Sequence, residues 1–145
     1  MLKNERVGYS LSYPRGWNVA AQVVATQFAA GAKCQSVRVV DMPAKTPAGV
    51  SQSFVQICWR SDGGTSLSAF MRATYGPKLS KLFARTLFGG VPAYRTRGGN
   101  RNRTFFLQAN GYRLQVVATV NTTPTRRTRR LKQVNRMLAS FTITH

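Results

Sequence analysis

Few side chains in this sequence could carry acid–base, nucleophilic or metal chemistry. The carboxylates are Glu5, Asp41 and Asp62, far apart along the chain, and the single histidine is His145, the last residue. Paired-carboxylate glycosidases and Ca²⁺ or Mg²⁺ sites need several acidic side chains close together, so both are poor fits. A histidine-activated nucleophile is a poor fit as well, because the chain has no internal histidine. The sequence therefore predicts a protein that is not an enzyme and has no cofactor or metal site.

Binding of anions is the chemistry that the sequence does favour. Its 22 Lys and Arg residues against 3 Asp and Glu give a formal net charge of +19. One group, the hairpin cluster, surrounds a Gly-Gly-Asn segment and consists of Arg95, Arg97, Arg101 and Arg103. A second group, the helix cluster, consists of Arg126, Arg127, Arg129, Arg130, Lys132 and Arg136. Because a guanidinium donates two parallel N–H bonds to a phosphate or carboxylate, both clusters are candidate anion-binding sites.

The arrangement of the hairpin cluster depends on the length of its loop. With a three-residue loop, Arg95 would face Arg103 and Arg97 would face Arg101, which places all four on one side of a hairpin tip. A two-residue loop would instead divide the arginines between the two faces of the hairpin. The sequence leaves both arrangements open.

The helix cluster lies on a predicted C-terminal helix, with Thr123 as the N-cap and Pro124 at the first position. The apolar stripe of this helix consists of Leu131, Val134, Met137, Leu138 and Phe141. Helical periodicity places Arg129, Lys132 and Arg136 opposite the stripe, facing water. Arg126 and Arg127 fall in the first turn, where free backbone N–H groups and arginines together make a candidate anion site.

The two cysteines, Cys34 and Cys58, fall on predicted strands that flank a Pro/Gly-rich break at 43–49. If they lie opposite each other in an antiparallel pair, residue 46 is the midpoint, at the centre of that break, and the geometry permits a disulfide. Closing this loop of about 25 residues would stabilise the fold by roughly 3 kcal/mol in the chain-entropy treatment. The alternative is two unrelated buried thiols.

The cysteines also bear on localisation, because a disulfide favours an oxidising compartment. We therefore expect a periplasmic or secreted protein. Residues 1–6 lack the apolar stretch of a signal peptide, so either a signal was removed before this numbering begins or the protein is cytoplasmic. The chain has no run of about 18 apolar residues, and no transmembrane segment is predicted.

Apolar alternation and turn residues predict an α+β chain. In the first half, strands are expected at 7–13, 34–42 and 54–59. A helix capped by Ser66 follows, which Gly76-Pro77 would interrupt and which could resume through Phe83. The clearest pattern of strands and turns predicts an antiparallel meander, with strands expected at 84–88, 91–97, 103–109 and 112–120. A short extended segment is expected after the terminal helix.

Asn110-Gly111 is the strongest hairpin signal in the chain, because a type I′ turn needs positive φ at both central residues. A two-residue loop there pairs Ala109 with Tyr112. This register places one set of apolar residues on a single core face: Phe105, Leu107, Leu114, Val116, Ala118 and Val120. Tyr94 and Phe106 are then expected on the opposite face of the sheet.

Four short motifs carry a family resemblance. Segment 8–19 contains Tyr-Pro-Arg-Gly-Trp, segment 136–143 contains Leu-Ala-Ser-Phe, and segments 90–95 and 111–114 belong to the meander. Together they resemble the PsbP-like and Ran-binding Mog-like superfamily. The resemblance implies an exported bacterial PsbP-like domain, with one domain over residues 1–145. Its implied fold is an antiparallel β-sheet meander sandwiched between helices, an α/β/α sandwich.

Members of that superfamily are mostly not catalytic, which agrees with the scarcity of reactive side chains. The near lack of acidic residues departs from the family pattern, so no metal-retention or photosystem role carries over. We therefore expect a strongly basic binding module that engages an acidic protein or an anionic cell-surface polymer or lipid. The alternative is a nonspecific nucleic-acid-binding protein that uses the same basic face. The sequence contains no signature for base-specific recognition and leaves the oligomeric state open.

Overall fold

The computed structural model describes residues 1–25, 34–41 and 52–144. Its strands are β1 Leu2–Asn4, β2 Tyr9–Leu11, β3 Asn18–Ala25, β4 Cys34–Val40, β5 Phe54–Ser61, β6 Phe83–Phe88, β7 Val91–Thr96, β8 Asn102–Ala109, β9 Tyr112–Thr119 and β10 Thr142–Ile143. Its helices are α1 Leu67–Tyr75, α2 Leu79–Leu82 and α3 Arg127–Ser140, with 3₁₀ turns at Gly76–Lys78 and Pro124–Arg126. The predicted break at 43–49 and His145 lie outside the described residues.

The described strands form two antiparallel sheets. The larger has seven strands in the order β3-β4-β5-β9-β8-β7-β6, and the smaller has three in the order β1-β2-β10. The predicted α+β class with an antiparallel sheet is confirmed. The strand predicted at 7–13 is shorter than expected, since β2 comprises Tyr9–Leu11 and pairs with β1 and β10.

The β8–β9 hairpin has the predicted turn and register. Asn110 and Gly111 have φ values of 56° and 81°, as a type I′ turn requires. Ala109 lies opposite Tyr112, and Phe105 lies opposite Val116. The six residues predicted to share a core face are all buried in one cluster: Phe105, Leu107, Leu114, Val116, Ala118 and Val120.

Two buried clusters lie against the large sheet. The first contains Phe105 together with Val134 and Met137 of α3. The second contains Phe106 together with Met71 of α1. Phe105 and Phe106 are consecutive in a strand and point to opposite faces, so the two clusters lie on opposite faces of the sheet. Tyr94 also belongs to the second cluster, as predicted.

Helix α1 begins where its cap predicts. The Ser66 hydroxyl accepts a 3.2 Å hydrogen bond from the backbone N–H of Ala69. The helix ends at Gly76, whose φ of 55° favours glycine, and Pro77 follows in a 3₁₀ turn. The predicted resumption of the helix is confirmed by α2, but it stops one residue short of Phe83, which begins β6.

The entry to α3 differs from its prediction. Thr123 caps a 3₁₀ turn that contains Pro124, and its side chain makes no capping hydrogen bond. The α-helix proper begins at Arg127. The backbone N–H of Arg126 bonds the Thr123 carbonyl at 3.0 Å, the i to i+3 spacing that defines the 3₁₀ turn. Arg126 therefore precedes the first α-helical turn.

Candidate anion-binding surface

The two arginine clusters meet at one end of the seven-stranded sheet. The backbone N–H of Val120 donates a 2.8 Å hydrogen bond to the Arg101 carbonyl, and Asn102 pairs with Thr119. These contacts hold the tip of the β7–β8 hairpin beside the connection from β9 to α3. Arg126 follows only six residues after Val120. The hairpin tip and the entry to α3 therefore form one continuous part of the surface.

The predicted pairing within the hairpin cluster is wrong. Arg95 lies opposite Phe105 rather than opposite Arg103. The strands end at Thr96 and resume at Asn102, so residues 97–101 form a loop of five residues rather than two or three. The longer loop shifts the register by two positions relative to the three-residue arrangement.

Arg103 is a buried contact between the sheet and α3. Its Nη2 donates a 2.7 Å hydrogen bond to Oδ1 of Asn135, and only 8% of the residue is exposed. Burial lowers the pKa of the Arg103 guanidinium, and the charge of Arg95 lowers that pKa further. Arg103 is thus held inside the fold and cannot present its full guanidinium to a partner.

The remaining arginines of the hairpin cluster diverge. Arg97 is exposed, and its Nε donates a 2.9 Å hydrogen bond to the Ser80 carbonyl in α2. Arg95 is half-buried and donates to Oδ1 of Asn100 at 3.2 Å, whereas Arg101 is exposed. The predicted crowding of all four on one side is therefore wrong: Arg103 contacts α3, and Arg97 contacts α2 beside the second cluster.

The helix cluster presents its charges largely as predicted. The exposed members are Arg126, Arg129, Lys132 and Arg136, and Arg127 is half-buried. On the opposite side of α3, Val134, Met137 and Leu138 are buried. The amphipathic pattern of α3 therefore directs its basic side chains to solvent.

Arg130 is an exception within the helix cluster, because it is bound inside the protein. Its Nε lies 2.8 Å from Oδ2 of Asp41, whose side chain is 1% exposed. Its Nη1 donates to Oε1 of Gln133 at 2.8 Å, and its guanidinium carbon lies 5.9 Å from the Trp17 ring centroid. Asp41 also accepts a 3.0 Å bond from the Ser53 N–H. Arg130 thus joins α3 to the end of β4 and is a structural residue.

The two cysteines are neighbours, but the predicted pairing of Cys34 directly opposite Cys58 is wrong. Cys58 lies opposite Ser36, so Cys34 is displaced diagonally by two residues on the same face. Both are free and buried in the structure. Burial raises the pKa of the Cys34 thiol to about 12, with a further contribution from the hydrogen bond to Cys58. Two adjacent apolar thiols therefore lie in the second cluster, with Met71 and Tyr94.

Within the described residues, no group of three or more His, Cys, Asp or Glu side chains is placed to hold a metal ion. No helix in the described part of the chain has the length and apolarity needed to cross a membrane.

Comparison of the chain with protein-family models, with curated proteins and with solved structures found no match.

Proposed function

We propose that this chain is a non-enzymatic binding module that engages an acidic protein or an anionic cell-surface polymer or lipid. Its binding region is the basic surface, which consists of the exposed residues Arg101, Arg126, Arg129, Lys132 and Arg136. The bond between the Arg101 carbonyl and the Val120 N–H carries this proposal, because it places the hairpin tip beside the entry to α3. A partner can therefore contact both clusters at once.

The positive charge of the basic surface is poorly offset within the protein. Asp41 is buried against Arg130, and Asp62 accepts bonds from Gly64 and Gln108. Glu5 lines a pocket beside β1. Asp41 therefore offsets only Arg130, and among the described residues no ion pair joins a carboxylate to a residue of the basic surface. The field of this surface attracts anions and raises their association rate.

Single-stranded nucleic acid fits this surface less well, because stacking needs accessible aromatic rings. The exposed large apolar residues of the described chain are Met1, Val19, Leu82 and Leu87, none of which is aromatic. Nonspecific duplex binding through phosphates is the alternative function, since it needs only the arginines.

The proposal extends to the fold family and to localisation. The packing of α3 on one face of the large sheet and α1 on the other supports an α/β/α sandwich of the PsbP-like and Mog-like kind. Cys34 and Cys58 are free in the structure, but they are neighbours on one face of the sheet, and a disulfide between them would support an extracytoplasmic location. An intact mass that rises by about 2 Da on reduction is expected if they pair in the native protein, from the gain of two hydrogens. An unchanged mass would remove this support for export.

A panel of anions at several salt concentrations tests the function and separates the alternatives. Fluorescently labelled polyglutamate, anionic phospholipid vesicles and duplex DNA are each titrated with the protein. The proposal predicts tighter binding to polyglutamate or to vesicles than to DNA. Preferential duplex binding with a log–log salt slope of about −4.5, equivalent to five phosphate contacts, would instead establish the nucleic-acid alternative. Binding to none of the three at low salt would contradict both functions.

A further inference from the structure

A second basic site lies on the other side of the sheet. A surface pocket of about 430 Å³ lies between the α1–α2 segment and the β6–β7 hairpin. Among the described residues, three arginines line it: Arg72, Arg85 and Arg97. The other lining residues are Gly76, Pro77, Leu79, Ser80, Phe83 and Tyr94.

The three arginines converge from separate elements. Arg72 lies in the last turn of α1, Arg85 lies on β6 opposite Tyr94, and Arg97 follows the end of β7. All three are exposed. The fold thus brings together residues that are up to 25 positions apart in the chain.

Internal contacts hold two of these guanidinium groups in place. The guanidinium carbon of Arg85 lies 5.5 Å from the centroid of the Tyr94 ring. The Nε of Arg97 donates to the Ser80 carbonyl at 2.9 Å, which uses one of the five N–H donors of the group. Binding a ligand here therefore costs less side-chain entropy than binding it through arginines that are not already held in place.

The pocket combines this charge with an apolar base. Phe83 and Tyr94 are buried members of the second cluster, and Leu79 packs against it. None of the lining residues in the described chain is a carboxylate. The cavity volume falls within the range of about 300–1,000 Å³ that is typical of small-molecule sites.

We propose that this pocket binds a small phosphate monoester that carries an aromatic ring. Paired N–H donors of the arginines match the phosphate oxygens, and the accessible apolar lining residues, Pro77 and Leu79, offer contact to the ring. The site goes beyond the macromolecular function proposed above, because its lining includes none of the residues of the basic surface.

Titration of ¹⁵N-labelled protein with phenyl phosphate, inorganic phosphate and phenol tests this proposal. We expect phenyl phosphate to bind at least about tenfold more tightly than either fragment, since it satisfies both halves of the pocket. Its amide shifts should centre on residues 72–85 and 94–97. Arg85→Gln and Arg72→Gln should each weaken binding by about tenfold, equivalent to one charge-assisted hydrogen bond. The matched controls are Arg129→Gln and Arg136→Gln on α3, which should leave this affinity unchanged.

Three results would overturn the pocket proposal. They are no binding of phenyl phosphate, binding no tighter than that of inorganic phosphate, and equal losses in the pocket and α3 variants. Polyglutamate binding by the same variants is independent of this outcome. Failure of the pocket therefore leaves the function of the basic surface untouched, and failure of the basic surface leaves the pocket untouched.

Discussion

Arg103 and Asn135 join the large sheet to helix α3 through a 2.7 Å hydrogen bond from Nη2 to Oδ1. The Arg103 guanidinium lies under the helix, and its Nε is buried without a hydrogen-bond partner in the described part of the chain. A residue that the sequence places in an anion-binding cluster is therefore part of the packing between two elements.

Removing either partner of this bond should have unequal effects on stability. Asn135→Ala leaves a buried guanidinium without its partner, and we expect a loss of about 1.5 kcal/mol in the free energy of unfolding. Arg103→Met removes the charge but keeps an apolar stem, and its loss should be smaller. Urea denaturation measures both. A larger loss for Arg103→Met than for Asn135→Ala would contradict the expectation that the unpaired buried charge is the greater cost. No loss in either variant would contradict a packing role for this arginine.

The ion pair between Arg130 and Asp41 should be a larger contributor to stability. Asp41→Asn keeps an Oδ1 acceptor for the Ser53 N–H but removes the charge facing Arg130. We expect the free energy of unfolding to fall by about 3 kcal/mol, as in other buried pairs that lose one partner. Adding Arg130→Met should recover part of this loss in a double-mutant cycle. Additive losses in the double variant would show that the two side chains are not coupled.

Local signals in the sequence were sufficient for several elements. Asn110-Gly111 predicted both the turn and the register of β8–β9, because only a few residue types adopt positive φ at both positions. Ser66 predicted the start of α1, and the apolar periodicity of α3 predicted its exposed arginines.

Partner assignments failed where no local signal sets the register. The segment 95–103 is rich in Arg, Gly and Asn and has no apolar alternation that favours one pairing. In β7–β8 and in β4–β5 the true register differs from the predicted one by two residues. A shift of two keeps each paired side chain on its face, so Cys34 and Cys58 share a face although they are not opposite each other. Arg97 lies beyond the end of β7 and contacts α2, so its predicted face was wrong as well.

Contacts between distant residues left no sequence signal at all. Asp41 and Arg130 are separated by most of the chain, and the arginine pocket forms only when α1, β6 and β7 assemble. A single sequence cannot show such pairings, because they depend on the packed tertiary structure.

Gly89 should tolerate substitution poorly, because two constraints act on it. Its φ is 64°, and a Cβ there would lie 2.8 Å from Cδ1 of Phe141. We expect Gly89→Ala to cost about 2–3 kcal/mol through backbone strain and ring displacement. Gly99 has open space around it and no positive φ, so Gly99→Ala should change the free energy of unfolding by less than about 0.5 kcal/mol. Equal melting temperatures for the two variants would contradict this description of the β6–β7 turn.

Stability should fall at alkaline pH. Burial raises the pKa of the Tyr9 phenol from 10.0 to about 12 and that of the Cys34 thiol from 9.0 to about 12. Below the ordinary values both groups are protonated in the folded and unfolded chains. As the pH rises from there towards 12, the unfolded chain releases protons that the folded chain retains, so the free energy of unfolding decreases.

Tyr9→Phe isolates the contribution of the phenol to this decrease. Urea midpoints measured at about pH 8 and about pH 10.5 should differ less in the variant than in the wild type. The same difference in both proteins would show that Tyr9 does not carry the effect.

The most direct test of the basic surface compares two variants that lose the same amount of charge. The surface variant combines Arg101→Gln, Arg126→Gln, Arg129→Gln and Arg136→Gln. The control variant combines Lys3→Gln, Arg15→Gln, Arg60→Gln and Lys81→Gln, which are exposed elsewhere. Affinity for fluorescent polyglutamate is measured by anisotropy at fixed salt. We expect the surface variant to bind at least about tenfold more weakly and the control to stay within about threefold of wild type. Equal losses in the two variants would show that total charge, rather than this surface, binds the anion.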